Sequence, residues 1–183
     1  MITIYNAKNN LKFDKKNIQI VSIDPGLRNL AIRVEKREND EIKTIYFNRF
    51  DVSDNKKLTP LTFIKIITIL EHINNIIYNS NIVIIERQMM INSTNVRIFQ
   101  HLLTYFLIKF PKIIISDISP KLKNNYFNLG GLKYNEVKKL SIEKAKEILY
   151  HRNDRYGIEL MNGKKLDDLA DTVLQIEVWI NTI

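Results

Sequence analysis

Lys164-Lys165-Leu166-Asp167-Asp168-Leu169-Ala170-Asp171-Thr172-Val173-Leu174-Gln175 puts three carboxylates within five positions at the head of an apolar repeat. Leu166, Leu169, Val173, Ile176 and Ile180 return at steps of three and four, the spacing of a buried stripe on a helix. At about 100° per residue, Asp168 and Asp171 project about 60° apart beside that stripe, so two acids face one place. Asp167 and Asp171, at i and i+4, lie about 40° apart, and helix geometry alone pairs them equally well. An acidic first turn also suits the positive end of the helix dipole, so this segment by itself does not demand chemistry. Two further acids at strand ends add that demand.

Ile18-Gln19-Ile20-Val21-Ser22-Ile23 reads as a strand running into Asp24. Pro25-Gly26 then makes a turn, proline presetting φ and glycine accepting the positive φ of a type II turn. Leu30 to Lys36 and Ile42 to Val52 continue as β-rich segments, giving a three-stranded meander. Thr59 caps a helix with Pro60 at its first position and a buried face of Leu61, Ile64, Ile67, Leu70, Ile73 and Ile77. Ile82-Val83-Ile84-Ile85 is an uninterrupted apolar run, typical of a strand covered on both faces, and it ends at Glu86. A second helix starts at Ser93 or Thr94 and stops before Pro111; Ile113-Ile114-Ile115 is a further strand. A polar loop from Ser119 to Tyr134, a helix from about Asn135 to Tyr150, and a basic loop from Arg152 to Lys165 lead to the terminal helix.

The order β-β-β-α-β-α-β-α-α describes an α/β domain, a five-stranded mixed sheet flanked by helices. It matches the ribonuclease H-like fold, in which the first and fourth strands are neighbours. Asp24 and Glu86 then stand side by side, and the terminal helix brings its acids to the same edge. Asp24, Glu86 and Asp171, with either Asp167 or Asp168, can hold two divalent ions about 4 Å apart, one activating water and one stabilising the leaving oxygen of a phosphodiester. Mg²⁺ suits all-oxygen donors, with Mn²⁺ as a substitute. Each acid has a plainer reading: Asp24 opens a turn, and Glu86 pairs with Arg87 at the surface.

Composition agrees. The 183 residues suit one domain, residues 18–183, behind a polar leader or frayed terminus over residues 1–17. The absence of cysteine excludes disulfides and thiolate metal sites, and three histidines without ligand spacing argue against zinc. The net charge of +8 is concentrated next to the acids: Lys121 to Lys165 holds 11 Lys/Arg against 5 Asp/Glu. A carboxylate centre framed by lysines suits a polyanionic substrate. No run is apolar and long enough to span a membrane, and no signal peptide is evident.

Ser22-Ile23-Asp24-Pro25-Gly26-Leu27-Arg28-Asn29-Leu30-Ala31 resembles the first motif of RuvC-type Holliday junction resolvases. Ile84-Ile85-Glu86-Arg87-Gln88 and Lys165-Leu166-Asp167-Asp168-Leu169-Ala170-Asp171 resemble the second and last, with wording nearest the poxvirus and fungal mitochondrial enzymes. Leu166 departs from the pattern, in which the lysines run directly into the paired aspartates. The resemblance spans about Ile18 to Trp179 and implies a homodimeric, Mg²⁺-dependent endonuclease that cuts four-way DNA junctions. It implies Asp24, Glu86, Asp168 and Asp171 as metal ligands and a catalytic lysine before the helix after the last strand. Lys138 and Lys139 are the best matches, with Lys139 favoured. Arg28, Lys121, Lys123, Lys138 and Lys139 are the implied DNA contacts. The resemblance assigns the dimer interface to the helix from Thr94 to Lys109, through Phe99, Leu102, Leu103, Tyr105 or Phe106. A viral protein of this kind works at the cytoplasmic replication site; otherwise the setting is intracellular, with mitochondria included. The rival readings are a nuclease for other branched DNA or RNA–DNA hybrids, and a catalytically silent junction-binding module.

Overall fold

The computed structural model describes residues 1–6, 13–163 and 166–183; Lys164 and Lys165 lie outside them. In chain order the elements are β1 (Ile2–Ile4), β2 (Ile18–Asp24), β3 (Leu30–Glu38), β4 (Glu41–Phe50), α1 (Pro60–His72), α2 (Asn74–Tyr78), β5 (Ile82–Glu86) and α3 (Ser93–Lys109). They continue as β6 (Ile114–Ile118), α4 (Pro120–Tyr126), α5 (Tyr134–His151), α6 (Arg155–Leu160) and α7 (Asp167–Thr182). The sheet order is β1-β6-β5-β2-β3-β4. β2, β3 and β4 form the antiparallel meander, while β5 and β6 join parallel to β2. The mixed sheet therefore has six strands rather than five. The sixth is Ile2–Ile4, inside the segment expected to be a leader, and it pairs antiparallel with the β6 edge.

Strand alternation separates two cores. Val21, Ile23, Val83 and Ile85 face α1, α2 and α3, with Ile66, Leu70, Leu102 and Phe106 packed on them. Ile20, Ile82 and Ile84 face the other way, onto Ile176, Trp179 and Ile180 of α7. Strands covered on both faces need side chains that are apolar at every position, which explains the unbroken isoleucine runs. The polar groups that interrupt this second core are matched except for Gln175 Nε2, which is buried without a partner. Ser22 donates to the Gln175 side chain at 2.8 Å, and the Trp179 indole N–H donates to Ser116 Oγ at 2.9 Å. These bonds fix the axial position of α7 on the sheet, and hence the height of its acids.

Several local expectations change. Thr59 does precede α1 and Pro60 is its first residue, but the cap contact comes from Thr62, whose Oγ1 accepts from the Thr59 N–H at 3.1 Å. The buried face of α1 is Thr62, Ile66 and Leu70, while Leu61, Ile64 and Ile67 are exposed. Apolar residues occur at both 64/67 and 66/70, so period alone could not choose between the faces. In α3, Phe99, Leu102, Leu103 and Phe106 are buried in the core of the same chain, and Tyr105 donates to Glu71 at 2.9 Å. The four buried side chains are not presented to a partner. The two loops expected after β6 and after α5 each contain a short helix, α4 and α6.

Candidate active site

Asp24 closes β2 and Glu86 closes β5, and the parallel register sets Ile23 opposite Ile85, one residue before both acids. The ends of two neighbouring strands thus carry two carboxyls side by side. Asp171, one turn into α7, and Lys123, in the middle of α4, complete the group. Lys123 is buried, its side chain only 6% exposed, and its ammonium donates to Glu86 Oε1 at 2.8 Å and to Asp171 Oδ1. α4 is directed there by its start: Ser119 accepts from the Leu122 N–H and Pro120 supplies the preset φ.

Burial, mutual repulsion of the acids and one internal ammonium set the electrostatics of this group. Burial pushes the Asp24 carboxyl well above its ordinary range, and the negative charges of Glu86 and Asp171 push it further. Asp171 is raised by burial, with Lys123 opposing and Glu86 adding to the rise. Burial alone would lower Lys123, but Glu86 and Asp171 outweigh it and hold the ammonium charged. Three crowded carboxyls with one internal ammonium are a donor set of oxygen atoms that suits a hard divalent ion. Among the described residues no three His, Cys, Asp or Glu side chains are grouped so as to hold a metal ion, and the Lys123 ammonium lies between Glu86 and Asp171.

The other acids of α7 face a neighbouring groove of about 710 Å³. Asp168 accepts from Asn29 Nδ2 at 2.7 Å and from Arg49 Nη1 at 3.0 Å. Asp167 accepts from Lys138 Nζ at 2.7 Å, and that ammonium also lies 4.9 Å over the Tyr134 ring. The hydrogen bond from Lys138 helps hold Asp167 below its usual range, although burial pushes the other way. Arg28 lines the same groove, 3.9 Å from Asp51.

Gly26 is required here for a reason other than a left-handed turn. Gly131 is the glycine with positive φ, whereas a Cβ on Gly26 would meet the Asn29 backbone oxygen at 3.0 Å and its side-chain oxygen at 3.1 Å. The turn folds back on Gly26, and so carries Asp24 at one end and the Asp168 partner Asn29 at the other.

The structure thus brings Asp24, Glu86 and Asp171 together, and places Asp168 apart from them in the groove, in contact with Asn29 and Arg49. It does not bring Lys139 to the acids. That side chain is 79% exposed on α5, 4.0 Å from Glu143. Lys121 is exposed on α4. The lysine among the acids is Lys123, expected only as a backbone contact, and Arg49 and Asn29 were not singled out at all. Ser119-Pro120, a cap residue followed by a first-turn proline, is the signal that could have revealed α4 and its inward lysine.

Acids at the ends of neighbouring strands of a mixed sheet, faced by a C-terminal helix, define the ribonuclease H-like fold. Comparison with solved structures agrees. The fowlpox virus resolvase, in a complex with its substrate Holliday junction DNA, superposes with a TM-score of 0.67 at 22% identity over 90% of this chain and 98% of that one. Thermus thermophilus RuvC gives 0.62 at 13% identity over 88% and 92%, and the yeast mitochondrial Holliday junction resolvase Ydc2 gives 0.61 at 17% over 90% and 79%. The family model of the poxvirus A22 protein matches residues 18–181, and the chain belongs to that family. Comparison with the curated proteins gives no match.

Proposed function

We propose that this protein is a Mg²⁺-dependent endonuclease that resolves four-way DNA junctions. The observation that carries the reading is the convergence of Asp24, Glu86, Asp171 and Lys123 from four separate elements at one sheet edge, next to a groove rimmed by Arg28, Arg49 and Lys138. Membership of the poxvirus A22 family and likeness to resolvase folds support it.

Asp24, Glu86 and Asp171 would hold divalent cations, with Asp168 joining from the groove side; Mn²⁺ suits the same oxygen donors. Such ions, two per site, supply an activated water and stabilise the leaving oxygen when bound. Lys123, held between Glu86 and Asp171, would use its third N–H toward the scissile phosphate and stabilise the charge that develops on it. Arg28, Lys121, Lys138 and Lys139 form the surrounding basic surface, where phosphate contacts give affinity without sequence information.

Two symmetric strands must be nicked in one junction, so the active form is a C2 homodimer with two equivalent centres. Leu61, Ile64 and Ile67 on α1, with Ile108 at the end of α3, are among the exposed apolar side chains and are proposed for its interface. Among the described residues no helix is long and apolar enough to cross a membrane, and the place of action is the site of viral DNA replication. The test is incubation with Mg²⁺ and an end-labelled synthetic four-way junction, beside linear duplex and RNA–DNA hybrid. Paired symmetric nicks in the junction alone are expected. Cutting of the hybrid in preference to the junction would give the site a different substrate, and binding without cutting would make the protein a silent junction-binding module.

A further inference from the structure

Every acid on the first turns of α7 is matched by a base from another element. Asp171 is held by Lys123 of α4, Asp167 by Lys138 of α5, and Asp168 by Arg49 of β4 together with Asn29. The Asp168 arrangement differs from the others in one respect. Both of its oxygens are engaged, Oδ1 by Asn29 and Oδ2 by Arg49, while its side chain is only 5% exposed. A divalent ion approaching Oδ2 therefore meets the positive charge of the Arg49 guanidinium 3.0 Å from that oxygen, and cation repels cation.

Arg49 is the partner that can leave. Its side chain is 31% exposed at the groove edge, so its guanidinium can exchange a carboxylate for water or for another anion without being buried uncompensated. Lys123, by contrast, is enclosed between Glu86 and Asp171. Arg28 and Lys138 line the same groove, so a released guanidinium joins a cationic surface suited to a phosphodiester backbone.

We infer that Arg49 is an exchangeable counter-cation for Asp168, neutralising this carboxylate while no divalent ion is bound and turning to DNA phosphate when one is. This rests on the reading of Asp168 as a cation ligand. Arg49 is thereby a competitor of the ion rather than a ligand or a catalytic residue. The consequence is counter-intuitive for a residue beside the site: removing it tightens ion binding, although it also removes a DNA contact.

The test is calorimetric titration of the full chain with Mn²⁺, without DNA, for wild type, Arg49→Gln, Arg49→Met and Arg28→Gln. Arg28→Gln makes the same charge change in the same groove without touching Asp168. Both Arg49 variants are expected to bind Mn²⁺ roughly three- to fivefold more tightly than wild type, the upper part of the range set by a partly exposed ion pair. Arg28→Gln should stay within about twofold of wild type, as an exposed and screened charge does. The two Arg49 substitutions differ in polarity, so agreement between them separates lost competition from local damage to β4. Equal tightening in Arg28→Gln would reduce Arg49 to general groove charge. Weaker Mn²⁺ binding in the Arg49 variants would make it a residue that orients Asp168. Either result overturns the inference while leaving the cation site intact. A wild-type protein that takes up no Mn²⁺ would overturn the cation reading itself, and the inference with it.

Discussion

Lys123 is the residue on which the chemistry of the site turns. A lysine enclosed by two carboxyls carries its charge at every working pH, because Glu86 and Asp171 outweigh the effect of burial. Replacing it with alanine removes the donor proposed for the reacting phosphate and leaves the two acids without their internal cation. Lys123→Ala should therefore lower the single-turnover cleavage rate on the order of a hundredfold. Lys139→Ala should leave that rate nearly unchanged and lower the salt slope of junction binding by about one. Equal, purely affinity-based effects for the two lysines would contradict this. The same logic separates Asp168 from Asp167. Asp167→Asn gives up an ion pair with Lys138 at the groove edge, whereas Asp168→Asn alters a buried carboxylate, so the second should cost far more cleavage. The cluster of acids was visible in the sequence, but which of Asp167 and Asp168 is buried depends on the rotation of α7, which Ser22 and Ser116 set from across the core through Gln175 and Trp179.

At the scale of elements, α5 and α6 are held against the β3–β4 hairpin by a buried ionic network. Arg33 and Glu35 are fully enclosed, Arg152 reaches Glu35 at 2.9 Å, and Asp154 accepts from the Thr44 N–H and hydroxyl and caps α6. Burial pushes Glu35 up, but the Arg33, Arg152 and Arg37 guanidiniums outweigh it and bring its pKa to about 2. A carboxyl with a lower pKa folded than unfolded contributes stability above its ordinary value near 4.5, and this is lost as pH falls toward about 2. Urea midpoints should accordingly decline between those values. Glu35→Gln should flatten that decline while costing about 3–5 kcal/mol at neutral pH, since it strands buried arginines. An unchanged slope in the variant would show that other carboxyls govern the acid transition. None of this network was legible beforehand. Arg33 and Glu35 alternate with Ile32 and Val34 along β3 and read as the solvent face of an edge hairpin, until α5 and α6 cover that face. The short helices themselves were missed because six or seven residues show no period. The strands β2 to β6 and the long helices were legible, because apolar runs and caps mark them locally.

At the scale of the molecule, the same distinction governs assembly. The α3 side chains with the strongest apolar pattern turned out to be core, so the proposed dimer interface draws on what remains outside. Ile64, 60% exposed on α1, is the central candidate, and Ile64→Glu should shift sedimentation from dimer to monomer without loss of secondary structure. A monomeric variant should nick junctions on one strand rather than two; a persistent dimer would move the interface elsewhere. The central claim, that the acids at the β2, β5 and α7 ends form a cutting centre, is tested most directly by one measurement. Asp171→Asn is incubated with labelled four-way junction and Mg²⁺, with binding and cleavage read from the same samples. The account predicts junction affinity near that of wild type and no detectable cleavage, because the basic surface supplies affinity and the acids supply chemistry. Cleavage at the wild-type rate would contradict it.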